Sequence, residues 1–138
     1  ALPISEHLGA YGEIDVALDT FPYAGTTTTC EALWSGVPVV TLKGEAHAHN
    51  VGVSLLAAVG LERECVAETP DAYVAKCAAL AADHTALAAA REGMRAKMRA
   101  PGGLCDGEAH TRKLEEAYVA MWRRHCEESA RSVKGGSG

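Results

Sequence analysis

Four consecutive threonines, Thr26, Thr27, Thr28 and Thr29, lie just after Gly25, and Glu31 follows within the apolar run Cys30-Glu31-Ala32-Leu33-Trp34. Hydroxyl residues ahead of an apolar run mark a helix start, and Gly36 with Pro38 marks its end. The first turn of such a helix offers unpaired backbone N–H groups at the positive end of the helix dipole. Threonine hydroxyls beside them suit phosphate oxygens without any lysine. Glu31, about one turn in, is placed to accept hydrogen bonds from the two hydroxyls of a ribose, as an acid does in other nucleotide folds. A threonine run at a helix start also has a plain structural use as a cap, and the residues alone leave both readings open.

Other chemistry-bearing residues make weaker constellations. Asp15 and Asp19, four apart on an extended segment, would be roughly 13 Å from each other, too far to share a proton. Asp19 is better suited to ordering the loop after it through backbone N–H groups. His47 and His49 have no cysteine or carboxylate at ligand spacing, so no metal site is expected. Cys30, near a helix N-terminus, is a candidate for a lowered pKa and some reactivity. His110 and His125 fall on a helical segment with no partners for a triad.

The elements that must position these residues follow from hydrophobic period and punctuation. Residues 14–19 read as a strand, the threonine segment as a helix, and residues 37–42 as a second strand, a parallel β-α-β unit. A helix is expected over 47–59 and a short strand at 65–67. Thr69-Pro70-Asp71 gives a cap, a proline at the first helical position and a first-turn acid. The helix from there ends near Asp83, which caps another with Leu87, Ala90, Met94 and Met98 on one face. Pro101-Gly102-Gly103 breaks the pattern. A last helix over about 108–127 aligns Leu114, Tyr118, Met121, Trp122 and His125, a stripe expected to pack in a core or between domains. The expected organisation is one α/β lobe over residues 1–128 and a disordered Gly/Ser-rich tail over 129–138. Three short strands are few for a doubly wound sheet, which suggests a piece of a larger lobe.

Composition excludes several classes. Residues 1–50 hold one Lys or Arg, Lys43, against six acids, within a net charge of -5. Nucleic acid is therefore not an expected partner. The five cysteines are odd in number and contain no C-x-x-C pair, so they read as free thiols in a reducing compartment, and a cytoplasmic location is expected. No apolar run approaches the ~20 residues of a membrane span.

The wording from Asp15 through Thr41-Leu42, with Asp19-Thr-Phe-Pro-Tyr-Ala-Gly-Thr-Thr-Thr-Thr at its centre, closely resembles glycosyltransferase family 41, the O-GlcNAc transferase and SPINDLY family. Gly44-Glu45-Ala46-His47 and Val51-Gly52-Val53-Ser54-Leu55-Leu56 extend the likeness, as do Pro101 to Gly107 and Leu114 to Trp122. The resemblance implies a partial Rossmann-like C-terminal lobe of a GT-B enzyme: a short parallel sheet with several helices, and tetratricopeptide repeats upstream of the catalytic region. It further implies metal-independent transfer of a sugar to a protein hydroxyl. UDP-GlcNAc is the leading donor and GDP-fucose the alternative.

By position, Thr27 and Thr28 match the family's diphosphate-binding threonines, Glu31 its ribose-binding acid, and His7 the histidine that packs against the base. Thr26 stands where some members have a histidine touching the diphosphate. Asn50 and His49 replace an arginine and a serine of the family pattern, which leaves residues 47–50 without an assigned role. The family's diphosphate-binding lysine and its active-site histidine have no counterpart in these residues, so no catalytic residue is assigned. Losing one such electrostatic donor commonly costs ~100–1000-fold in rate. The expectation is residual nucleotide binding at most, with a non-catalytic protein-interaction module as the alternative function.

Overall fold

The computed structural model describes residues 3–135. The elements are α1 (Ile4–Ala10), a 3-10 turn (Tyr11–Glu13), β1 (Ala17–Leu18), α2 (Thr27–Trp34), β2 (Val39–Leu42), a 3-10 turn (His47–His49), α3 (Val51–Ala58) and α4 (Glu62–Cys65). They continue with β3 (Val66–Ala67), α5 (Pro70–Ala82), α6 (His84–Arg99) and α7 (Gly107–Gly135). Two compact units follow from the contacts, one through Cys105 and one from Asp106 onward. The single lobe expected over 1–128 is therefore divided at residue 105.

In the first unit three parallel strands pair in the order β1-β2-β3. Ala17 pairs with Val39 and Leu18 with Val40, while Thr41 pairs with Val66 and Leu42 with Ala67. The central position of β2 explains its composition: Val39, Val40 and Thr41 are buried, as both faces of a parallel strand are covered. The expected strand over 14–19 shrinks to two paired residues because β1 is a sheet edge, leaving Leu18 exposed.

The core joins Leu33 of α2, Val37 and Val39, Leu56 of α3, Cys65, and Met94 and Met98 of α6. On α6 the face predicted from the sequence is the buried one, with Leu87, Met94 and Met98 inside. Arg95 and Arg99 lie 5.6 and 4.9 Å from the Trp34 ring centroid, and Arg95 Nε donates to the Trp34 carbonyl at 2.7 Å. Gly36, at φ 81°, ends α2 where any Cβ would come within 2.8 Å of the Arg91 Cα, so α6 packs directly on its backbone. The predicted caps form: Thr69 Oγ1 accepts from the Ala72 N–H at 3.2 Å and Asp83 Oδ1 from the Ala86 N–H at 2.9 Å.

Three expectations change. The helix over 47–59 is interrupted at Asn50, giving a 3-10 turn followed by α3. α7 does not stop at residue 128 but runs to Gly135. Residues 129–134 contain no glycine or proline and include the helix formers Ala130 and Arg131, so they extend the helix; the rest of the expected tail, 136–138, lies outside the described residues. The α7 stripe does not enter a core among the described residues: Leu114, Tyr118, Met121 and Trp122 are exposed. His125 is also exposed and sits 5.7 Å from the Trp122 ring, centroid to centroid.

Met94→Ala is expected to lower unfolding free energy by about 2–5 kcal/mol, whereas Leu114→Ala changes it little. Urea titration followed by circular dichroism checks the contrast. A second expectation concerns pH. Burial, reinforced by Glu64, pushes the Cys65 thiol from 9.0 up to about 11. A raised folded-state pKa means the native protein holds the proton longer than the unfolded chain. The associated stability is complete below about pH 9 and is lost as pH rises through about 11. Urea midpoints between pH 8 and 11 should fall more steeply in this protein than in Cys65→Ala.

Candidate functional site

The loop after β1 is organised by one carboxylate. Asp19 Oδ1 accepts from the Gly25 N–H at 2.7 Å and Oδ2 accepts from the Thr41 hydroxyl at 2.6 Å. The Tyr73 hydroxyl donates to the Asp19 carbonyl at 3.0 Å. The loop-ordering role read from the sequence is the one Asp19 performs. Within the loop, Thr20 Oγ1 donates to the Tyr23 carbonyl at 2.7 Å, and the Ala24 N–H donates to the Ala48 carbonyl at 3.0 Å.

These links place the start of α2 at the C-terminal edge of the sheet. Thr26 occupies the cap position, but its side chain makes no capping hydrogen bond, against the capping alternative. Thr29 is buried and its hydroxyl donates back to the Gly25 carbonyl at 3.0 Å. Thr26, Thr27 and Thr28 are exposed, and among the described residues no hydrogen bond engages their hydroxyls. The polar run thus divides into one structural threonine and three available ones.

Glu31 is half-buried on the next turn. Its Oε2 lies 3.2 Å from His7 Nε2 and 3.4 Å from the Tyr11 hydroxyl. His7 and Glu31, singled out separately in the sequence, are therefore brought into contact. Tyr11 was not singled out. Its signal was its spacing of four from His7 at the end of α1, which places both side chains on one side of the segment. The two rings meet edge to face with centroids 5.8 Å apart.

The neighbouring loop gains the role the sequence left open. Asn50 Oδ1 accepts from the Gly44 N–H at 3.0 Å, and Nδ2 donates to the carbonyls of Gly44 and Ala46 at 2.7 and 3.1 Å. Asn50 is a loop clamp, and its backbone, at φ -113° and ψ 8°, marks the interruption of the expected helix. The His49 ring lies 5.3 Å from that of Phe21, joining the loops after β1 and β2. Among the described residues no group of three His, Cys, Asp or Glu side chains could hold a metal ion.

Two expectations about charge meet the structure differently. The lowered pKa is not found at Cys30: burial, with smaller contributions from Cys105 and Glu31, raises it. Lys43 extends to Glu68 at 3.6 Å, so the one Lys or Arg of the first 50 residues is turned to a surface pair. No helix of the described residues is long and apolar enough to cross a membrane.

A parallel sheet whose C-terminal edge presents free hydroxyls at a helix start, with a carboxylate one turn on, defines a Rossmann-like α/β lobe with an exposed polar helix start. The sequence pattern of Glycosyl transferase family 41 matches residues 3–114, and the chain belongs to that family. It is 54% identical over 129 residues to a rice (Oryza sativa subsp. japonica) protein named as a probable UDP-N-acetylglucosamine peptide N-acetylglucosaminyltransferase SPINDLY, covering 94% of this chain and 14% of the rice protein. Similarity to the Arabidopsis thaliana protein SEC, of the same named activity, is 36% over 122 residues, covering 88% of this chain and 12% of SEC. Among solved structures, a mutant O-GlcNAc transferase of Thermobaculum terrenum superposes with a TM-score of 0.84 at 43% identity, over 93% of this chain and 24% of that one. The chain thus corresponds to the Rossmann-like part of a GT-B glycosyltransferase and spans a small share of its relatives' length.

Asp19→Ala is expected to cost about 1–3 kcal/mol, because it leaves the Thr41 hydroxyl buried without its partner. It should also release the Gly25 amide to fast hydrogen exchange. Unchanged protection at Gly25 would contradict the loop-ordering role.

Proposed function

We propose that this chain is the donor-nucleotide portion of a metal-independent protein glycosyltransferase, which moves a sugar from a nucleoside diphosphate to a protein side-chain hydroxyl. The observation that supports it best is the trio of free hydroxyls on Thr26, Thr27 and Thr28 at the start of α2, one turn ahead of the Glu31 carboxylate. In this reading Thr27 and Thr28 donate to the diphosphate, Thr26 adds a weaker contact, Glu31 accepts from the ribose, and His7 packs against the base. The donor is UDP-GlcNAc, the nucleotide sugar in the names of the SPINDLY and SEC relatives. GDP-fucose is the alternative donor, and titration with both bases separates the two.

The transfer itself needs groups beyond these residues. A departing nucleoside diphosphate develops negative charge, and the site described here meets it with hydroxyls, backbone N–H groups and a helix dipole alone. The cationic donor, the acceptor-binding surface and tetratricopeptide repeats are assigned to the remainder of a longer protein acting in the cytoplasm. The chain by itself binds nucleotide without turning over.

Isothermal titration with UDP, GDP and AMP tests the reading. Selective binding of UDP or GDP is expected, weakened about tenfold by Glu31→Ala through loss of a charge-assisted acceptor. Equal binding of AMP, or no effect of Glu31→Ala, would overturn it.

A further inference from the structure

Tyr11 holds a position that none of the assigned contacts explains. It opens the 3-10 turn after α1, and its ring packs against the hydrophobic core while its hydroxyl emerges beside α2. That hydroxyl is shared between two acceptors, the Thr28 carbonyl and Glu31 Oε2, each at 3.4 Å. One donor therefore links the threonine segment to the acid one turn further on. Because His7 Nε2 approaches the same Oε2 at 3.2 Å, both neighbours use one carboxylate oxygen. Among the described residues Oε1 has no hydrogen-bond partner.

The ring is also a wall. It borders a cleft of about 110 Å³ lined by Asp19, Thr20, Thr28 and Thr29. It also borders a second cleft, of about 170 Å³, with His7, Ala10 and Ile14. Burial, helped by the Glu31 charge and its hydrogen bond, raises the Tyr11 pKa above 10.0, so the phenol remains a donor throughout the neutral range.

We propose that Tyr11 is a positioning residue for a nucleoside diphosphate: its hydroxyl ties the Glu31 carboxylate to the Thr28 carbonyl, leaving Oε1 of Glu31 as the oxygen available to the ribose hydroxyls. The proposal rests on the reading of Glu31 as ribose acceptor. It makes Tyr11 act through Glu31, so the signature is a change in how well the site tells a ribose from a sugar lacking its hydroxyls. A residue that merely supported the fold would lower all affinities alike.

The test is isothermal titration of the full chain with UDP and GDP and with the corresponding 2′,3′-dideoxynucleoside diphosphates, for the wild type, Tyr11→Phe, Glu31→Ala and the double variant. Tyr11→Phe keeps the wall and removes the hydroxyl. It should reduce the ribose-to-dideoxyribose affinity ratio about two- to tenfold, leave dideoxynucleotide binding unchanged, and have no further effect once Glu31 is alanine. Circular dichroism and the urea midpoint of Tyr11→Phe, matching the wild type, establish that the fold is intact. A Glu31-dependent ratio that Tyr11→Phe leaves untouched would overturn the role of Tyr11 alone. A ratio insensitive to Glu31→Ala, or no nucleotide binding by the folded chain, would overturn the ribose reading and this proposal with it.

Discussion

The Asp19 carboxylate sets the position of almost everything the site uses. Thr41 lies on the central strand, fully buried, where a hydroxyl without a partner costs on the order of 1–3 kcal/mol. Asp19 Oδ2 satisfies it at 2.6 Å, while Oδ1 receives the Gly25 N–H and the backbone carbonyl receives Tyr73 from α5. One residue therefore joins β1, β2, α5 and the loop leading to α2. The close approach of α3 depends on the same point, since a Cβ on Gly52 would come within 2.5 Å of Asp19 Oδ2. Because the entry to α2 is fixed from outside the helix, Thr26, Thr27 and Thr28 are not needed as caps. Their hydroxyls are left for another use.

The electrostatics follow from where the cations go. Arg91 donates to the Ile14 carbonyl and pairs with Asp15, while Arg95 and Arg99 lie over Trp34. These arginines fasten α6 to the rest of the unit, and Lys43 turns to Glu68. What remains at the start of α2 is a set of neutral donors and a dipole worth roughly half an elementary charge. Such a site orients phosphate oxygens well but neutralises them poorly. In the proposed reading, the positive charge that a leaving nucleoside diphosphate needs comes from the remainder of the longer protein.

The sequence exposed those features that arise from local chemistry. The Thr69 and Asp83 caps, the buried Leu87, Met94 and Met98 face, and the buried central strand are each written within a few residues, and each formed. The contact between His7 and Glu31 was not legible, because it joins residues 24 positions apart and depends on where α1 settles. Asn50 hid for a different reason: its amide clamps the backbone of Gly44 and Ala46, which hydrophobic period does not register. The division of the threonine run into one inward and three outward residues needed the placement of Gly25. Composition alone also misjudged α7, where the glycines of the last few residues suggested a tail across residues that are good helix formers.

The site-bearing edge is held by side chains more than by its sheet. β1 pairs over two residues, and Leu18 and Phe21 near it are exposed. α1 buries no residue, yet it supplies His7 and leads directly into Tyr11. Its attachment to α2 runs through the Tyr11 ring against the core and through the two contacts at Glu31 Oε2. Segments with so little buried surface open at low free-energy cost. A ligand that bridges Glu31 and the threonines would therefore also fasten α1, and part of its binding free energy would be used in ordering that segment. Through Oε2 the Glu31 carboxylate anchors α1 in the structure as it stands, and in the proposed reading its Oε1 is left for the ligand.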